Sequence, residues 1–357
     1  MTRQAVLYRA EALPVLQNRV YPSAEAARHC PRGDVELVQD PTTGLVWNRA
    51  FDPSLITYDR DYQNEQALSS RFRQHLEEVS EIVARHLSGR LLEVGCGKGF
   101  FLETLLVRGF DVWGMDPAYE GDNPRIARRA FEPGCGVKAD GLILRHVLEH
   151  VPDPLGFLDR LADANGRSGR LYVEVPCFEW IVEKRAWFDI FYEHVNYFRL
   201  DDFQRMFATV YESGHIFGGQ YLYAVVDLAS LRPPVFGLPV SLPDYFTSPI
   251  DDLAECSRQF LYCTGRRPFA WGASSKGVIV ALMMQRRGMA FAGLVDINPA
   301  KQGAFAPASG LPILEPRVLE EQAVEGDLLL VMNGNYMSEI REMTDDRYRY
   351  VAVDAVA

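Results

Sequence analysis

Three glycines on alternate positions, Gly95, Gly97 and Gly99, directly follow the apolar run Leu91-Leu92-Glu93-Val94. Glycine at that spacing lets a chain turn sharply out of a strand, and it lets a ligand approach bare backbone. Asp116 ends the next apolar run, where a carboxylate can accept both hydroxyls of a ribose. The spacing departs from Gly-x-Gly-x-x-Gly, the fingerprint that packs a pyrophosphate against a helix. With an acidic residue ahead of the turn, the pattern suits S-adenosylmethionine better than NAD. A glycine turn also occurs in folds of this kind that bind no cofactor.

The elements that must position these residues follow from the apolar spacing. Phe72, Leu76, Val79, Ile82 and Val83 recur at helical steps over residues 71–87. From Arg90 the chain alternates: strand Leu91–Val94, helix Phe100–Arg108, then strands Val112–Met115, Leu142–Leu144 and Arg170–Val175. Two further β-rich runs lie at Ala208–Ile216 and Tyr221–Leu228. This alternation predicts a parallel, doubly wound sheet. A bridge with Pro233, Pro234, Pro239, Pro243 and Pro249 follows, and then a second α/β pattern. It has strands at Arg267–Trp271, Ala292–Val295 and Asp327–Met332 and a helix at Lys276–Gln285. Residues 1–70 read as a small β-rich module, with apolar runs at Val35–Val38 and Gly44–Trp47. The expected organisation is a 1–70 module, a 71–231 cofactor-binding domain and a smaller Rossmann-like 232–357 domain.

Bulk properties narrow the function classes. The chain has 357 residues, 48% hydrophobic and 24% charged, as in ordinary globular proteins. Its formal net charge of −11 repels phosphate backbones and anionic lipid, so neither nucleic acid nor membrane is expected as a partner. No signal peptide is visible, and no run reaches the ~18 apolar residues of a membrane span. The six cysteines, none in a CxxC pair, read as reduced thiols, which together with the N-terminus suggests a cytoplasmic protein.

Glu93–Gly99, Asp116 and the run Arg145-His146-Val147-Leu148-Glu149-His150-Val151-Pro152-Asp153-Pro154 resemble the class I S-adenosylmethionine-dependent methyltransferases. That resemblance implies a Rossmann-like domain in which Glu93, Gly95, Gly97 and Gly99 line the methionine part of the cofactor. Asp116 would hold the ribose, and Arg145 and His146 would lie beside the cofactor. Glu132 is the nearest candidate for the adenine contact, in an atypical stretch, Phe131-Glu132-Pro133-Gly134. Three more motifs resemble the C-methyltransferases of nucleotide-linked keto-deoxysugars: Tyr192-Glu193-His194-Val195-Asn196-Tyr197-Phe198, Trp271–Gly277 with Val295–Gly303, and Asn333-Gly334-Asn335-Tyr336. By that match His194 is the base, Glu193 its companion and His150 a second site group. Tyr62, or Tyr58, brings a phenol to the site. Carbon becomes a nucleophile once a proton beside a carbonyl is removed, and histidine is the usual base near neutral pH. The enolate then needs hydrogen-bond donors, for which His150 and a tyrosine would serve. S-adenosylhomocysteine would be the product, and the acceptor a small molecule such as a nucleotide sugar, in natural-product biosynthesis.

The resemblance has departures. That family begins with a zinc module of four cysteines, whereas Cys30 is the one cysteine before Cys96, so no zinc or other metal is expected. Phe191 stands where a tyrosine is common. The aromatic stretch Trp187, Phe188, Phe191 and Tyr192 forms either a lid over the substrate or core. Gly272–Gly277 with Lys276 either holds an anion or is a structural remnant. Two other functions stay open: O- or N-methylation, and a binding protein on the same fold.

Overall fold

The computed structural model describes residues 5–57 and 61–355; Tyr58 lies outside the described residues. The N-terminal part is β1 (Val6–Pro14), α1 (Ala24–Arg28), β2 (Arg32–Gln39) and β3 (Val46–Asn48). Then come α2 (Ser70–His86), β4 (Arg90–Val94), α3 (Phe100–Val107), β5 (Asp111–Met115), β6 (Ile126–Ala127) and β7 (Gly141–Arg145). They are followed by α4 (Pro154–Ala164), β8 (Arg170–Pro176), α5 (Phe178–Glu183), β9 (Asn196–Tyr197), α6 (Leu200–Met206), β10 (Val210–Ile216) and β11 (Tyr221–Asp227). The C-terminal part has α7 (Pro249–Thr264), β12 (Phe269–Trp271), α8 (Ser275–Arg286), β13 (Leu294–Val295) and β14 (Ile313–Leu314). It ends with α9 (Pro316–Gln322), β15 (Leu328–Val331), α10 (Met337–Met343) and β16 (Arg349–Ala352).

The central sheet has seven strands in the order β10-β11-β8-β7-β4-β5-β6. β4 to β8 run parallel, and β11 is antiparallel to both of its neighbours. Strands covered on both faces become continuous apolar runs, as in β7 and β11, where all but the last residue is buried. The strand order reverses at β4 and β7, so the loops after them open one crevice at the carboxyl edge. The C-terminal sheet, β14-β13-β12-β15-β16, is parallel throughout. α2 forms for local reasons as well: Ser69 caps its first turn, Arg85 and His86 sit at its negative end, and Phe72, Leu76, Val79, Ile82 and Val83 are buried along one face.

Several features depart from the sequence reading. β6 is an additional two-residue strand, and no α-helix occurs among the described residues between β5 and β7. Gly121, Pro124, Pro133, Gly134 and Gly136 interrupt that stretch. Pro249 is no longer part of a bridge. It is the first residue of α7, where a missing N–H costs no hydrogen bond, and Gly265 in the left-handed region ends the helix. The first sheet is also completed from a distance, because β9 pairs antiparallel with β3. The motif around His194 is thereby tied into the N-terminal module.

One hydrophobic core runs through all three parts, from Leu13, Val35 and Leu37 through Val173 and Trp187 to Val278 and Leu330. Arg199, 9% exposed, crosses the joint. Its guanidinium donates to the carbonyls of Gly44 (3.0 Å) and Leu238 (3.1 Å) and to buried Asp202 (2.9 Å). Arg199→Ala leaves the Gly44 and Leu238 carbonyls with the Gln39 amide as their shared side-chain donor and removes one of two arginines from Asp202. We expect a loss of about 2–3 kcal/mol in urea denaturation.

Candidate active site

β4 delivers the chain into Gly95, Gly97 and Gly99, all with positive φ (+73°, +55° and +84°). A Cβ on Gly95 would stand 2.4 Å from Cγ2 of Val147, and one on Gly99 2.5 Å from Cδ1 of Ile126. At Gly97 a Cβ would meet nothing within 4 Å, so this part of the turn faces open space. Asp116, half-buried, accepts the Gly97 N–H (2.8 Å) through one oxygen and the Ala118 N–H (2.7 Å) through the other. The carboxylate is thus fixed beside the open glycine with lone pairs to spare. Glu93 is buried, and burial lifts its pKa to about 8 against the pull of Arg145. It is therefore largely protonated at neutral pH, with one oxygen unpartnered. A bare glycine, an oriented carboxylate and an orphaned acid fit a cofactor with a ribose and a polar amino-acid tail. Glu132 lies in an exposed turn after β6.

Behind the turn lies a buried charge network. Glu174, in β8, is fully buried and accepts from Arg145 (3.0 and 3.2 Å), His75 (3.0 Å) and the Tyr172 hydroxyl (2.8 Å). Nε2 of His146 is 2.9 Å away. Burial would raise this carboxyl's pKa, but Arg145, His75 and His146 outweigh it and hold the group ionised. Arg145 also lies over the Phe101 ring at 4.7 Å, so its side chain packs against α3, the helix that follows the glycine turn. His146 has φ +51°, a conformation that costs a non-glycine residue on the order of 1–3 kcal/mol. Burial would lower its pKa, yet the Glu149 and Glu174 carboxylates lift it to about 9. Burial lowers the pKa of His75, partly offset by Glu174. A glutamate inside the apolar run Leu171–Val175 is the sequence signal for this network.

The other expected site residues meet in a cleft of about 260 Å³ between the N-terminal module, the central domain and the C-terminal domain. Tyr62, His146, His150, Glu193 and His194 all line it. His150 and His194 pack edge to face, 4.9 Å between centroids. Burial, then the neighbouring His150 and His146, hold His194 well below the ordinary histidine pKa, so its imidazole is neutral. His150 Nδ1 lies 2.9 Å from the Glu193 carbonyl; a carbonyl only accepts, so Nδ1 carries a hydrogen. Glu193 departs from its expected place as companion of His194. Its carboxylate accepts the Gln17 N–H and the Tyr62 hydroxyl, each at 2.7 Å.

Trp187, Phe188 and Tyr192 belong to the core, with exposures of 0–1%, and are no lid; Phe191 alone of that group lines the cleft. Lys276 does not wait for an anion either. It pairs with Asp189 at 3.0 Å and stands over the Trp180 ring at 4.8 Å, clamping the C-terminal domain to the central one. Among the described residues, Glu149, His150 and His194 bring ligand atoms within 4.8 Å of one another, as do Cys177, Glu179 and His215. Cys30 is buried in the N-terminal module as a free thiol. No helix of the described residues is long and apolar enough to cross a membrane.

Residues 62–210 match the family described as methyltransferase domain, and residues 246–351 match the C-methyltransferase C-terminal domain. An uncharacterized methyltransferase of Bacillus cytotoxicus is 35% identical over 77 residues, 22% of this chain and 36% of its own length. One of Bacillus mycoides is 34% identical over a stretch of the same length and coverage. The chain thus spans about a third of these curated relatives. Among solved structures, an S-adenosylmethionine-dependent methyltransferase from Clostridium acetobutylicum aligns with TM-score 0.34 and 10% identity, covering 44% of this chain and 91% of its own. The plantazolicin methyltransferase BpumL, in complex with a pentazolic desmethylPZN analogue and SAH, aligns with TM-score 0.35 and 13% identity, covering 46% and 85%.

The network gives a pH signature. The folded pKa of His146, about 9, lies above the ordinary 6.5, so its contribution is complete below pH 6.5 and is lost as pH rises through about 9. His75, lowered, acts oppositely: its contribution holds above pH 6.5 and is lost in acid. Urea midpoints measured from pH 6.5 to 9.5 should therefore fall. Glu174→Gln should flatten that fall and cost about 3–5 kcal/mol at pH 7, since it leaves Arg145 buried without its carboxylate.

Proposed function

We propose that this chain, which belongs to the class I S-adenosylmethionine-dependent methyltransferases and ends in a C-methyltransferase C-terminal domain, methylates carbon beside a carbonyl in a small acceptor. The neutral imidazole of His194, opening into a cleft beside His150 and Tyr62, carries the reading. A base must be unprotonated to take a proton, and burial keeps His194 in that form at neutral pH. His194 removes the proton next to the acceptor carbonyl. The protonated His146, held by Glu149 and Glu174, supplies positive charge to the same cleft as negative charge grows on the carbonyl oxygen. Tyr62 and Glu193 hold the cleft wall in register through their hydrogen bond. His150, with Nδ1 bound to the Glu193 carbonyl, fixes the orientation of the His194 ring. S-adenosylmethionine, when bound, supplies an electrophilic methyl group. Gly95, Gly97 and Gly99 admit it, Asp116 takes its ribose, and Glu93 and Arg145 shape the wall behind it.

A nucleotide-linked keto-deoxysugar is the acceptor that the sequence motifs favour; any small keto compound satisfies the chemistry. Carbon acidity distinguishes this from O- or N-methylation. An acceptor handled as a carbon acid exchanges its α-proton in deuterated water in the presence of the protein, whereas a hydroxyl or amine acceptor does not.

Two variants separate the roles. His194→Ala should lower turnover by about 10²–10⁴-fold and leave S-adenosylhomocysteine affinity, measured by calorimetry, unchanged. Asp116→Ala should weaken that affinity by about tenfold or more, the scale of one charged hydrogen-bond acceptor. Full activity of His194→Ala removes the base, and unchanged affinity of Asp116→Ala removes the ribose contact.

A further inference from the structure

The cleft has a charge pattern of its own. Six carboxylates line it, those of Glu65, Glu149, Asp189, Glu193, Asp296 and Glu339, against Lys276, the protonated His146 and, among the described residues, no arginine. Lys276 pairs with Asp189, and His146 lies between Glu149 and Glu174. The turn at the start of α8, where a Rossmann-like domain would take a phosphate, is filled by the protein itself. Nζ of buried Lys301 donates to the Ala273 carbonyl (3.2 Å), the Ser274 hydroxyl (2.7 Å) and Asn18 (3.2 Å). Asp296 accepts the Ala273 N–H (2.9 Å), so an incoming phosphate would meet a carboxylate at the turn.

Most of these carboxylates are already engaged. Glu193 accepts from Gln17 and Tyr62, Glu339 from Ser69 and Ser70, and Glu65 from the Ala67 N–H. Glu149 differs. It is 1% exposed, and neither of its oxygens accepts a hydrogen bond; Nδ1 of His146, at 3.4 Å from one of them, is an ion-pair neighbour. His146 offsets part of the charge, yet a buried carboxylate whose lone pairs accept no hydrogen bond stays costly until a further donor arrives.

We propose that the acceptor is a small, phosphate-free carbonyl compound bearing a protonated amine, and that Glu149 receives the amine. This rests on reading the cleft as the acceptor site. It narrows the acceptor away from a nucleoside diphosphate, whose charge the six carboxylates repel.

The test uses the full chain, with and without saturating S-adenosylhomocysteine, and three probes on one frame: glucosamine, glucose and glucose 6-phosphate. They are cationic, neutral and dianionic, and affinities are read by calorimetry or ligand-detected NMR. Glucosamine should bind about tenfold more tightly than glucose, and glucose 6-phosphate more weakly than glucose. Glu149→Gln should erase the advantage of glucosamine. The wild-type series decides the matter even if that variant does not fold. Preference for glucose 6-phosphate, equal binding of the three, or binding of none overturns the proposal. So does one equivalent of tightly held zinc in elemental analysis of the purified protein that is lost in Glu149→Gln, since the cation would then be a metal on Glu149, His150 and His194. Failure of S-adenosylhomocysteine to bind would instead count against the methyltransferase reading, while the probe series without it still reads the cleft.

Discussion

A buried carboxylate holds the site together. Removing an ionised glutamate from water is expensive unless several donors replace the solvent. Glu174 meets that demand with groups from three places: His75 on α2, Arg145 and His146 at the end of β7, and Tyr172 on its own strand. Satisfying one charge therefore fixes a helix against the sheet and sets the direction in which the chain leaves β7. The left-handed backbone at His146 is tolerable because its N–H donates to the Glu174 carbonyl and its ring faces the carboxylate. From that bend the next residues, Glu149 and His150, enter the cleft. Arg145, on the other side of the same carboxylate, packs on Phe101 one turn beyond the glycines. The glycine turn and the cleft thus share one electrostatic anchor.

The cleft needs walls that the central domain cannot provide alone. The N-terminal module contributes Gln17, whose N–H holds Glu193, while Tyr62 reaches the same carboxylate. The C-terminal domain is fastened at two points: Lys276 on Asp189, and Glu339 on the Ser69 and Ser70 residues that begin α2. Both fasteners carry charge across a joint, and both lie at the cleft rim. Moving the C-terminal domain away would unpair Lys276 and Asp189 in largely apolar surroundings, next to Trp180 and Phe188. That penalty favours a closed cleft.

The sequence disclosed local devices better than long-range ones. The glycine turn, Asp116 and the strands around them announce themselves through spacing, because a tight turn and a parallel strand each demand particular residues over a few positions. The meeting of Tyr62, His150, Glu193 and His194 was legible through resemblance to a family of similar motifs. Their mutual geometry was not. That Glu193 turns to Gln17 and Tyr62 depends on contacts between residues 176 and 131 positions apart. β9 was hidden for the same reason, since two residues make a strand only when β3 lies beside them. α7 was obscured by Pro249, which reads as a breaker until its place at the first turn is known. The aromatic run Trp187–Tyr192 has a composition that fits core and lid equally, and only burial separates them.

The two Rossmann-like sheets carry the same device and use it differently. In the central domain Asp116 accepts an N–H of the glycine turn, and in the C-terminal domain Asp296 accepts one from the turn after β12. Around Gly97 the space is open, so the device is available to a ligand. Around Gly272–Gly277 the backbone of Gly272 presses so closely that a Cβ on Gly277 would lie 1.8 Å from its carbonyl, and Lys301 caps the turn from within. Burial lowers the pKa of Lys301, while the Asp296 and Glu193 charges support its cationic form. The lysine thus supplies internally the positive charge and donors that a ligand would otherwise have to bring to Asp296. The donors and acceptors of this turn are thereby satisfied within the chain. The geometry makes the C-terminal domain a wall and electrostatic counterpart of the cleft.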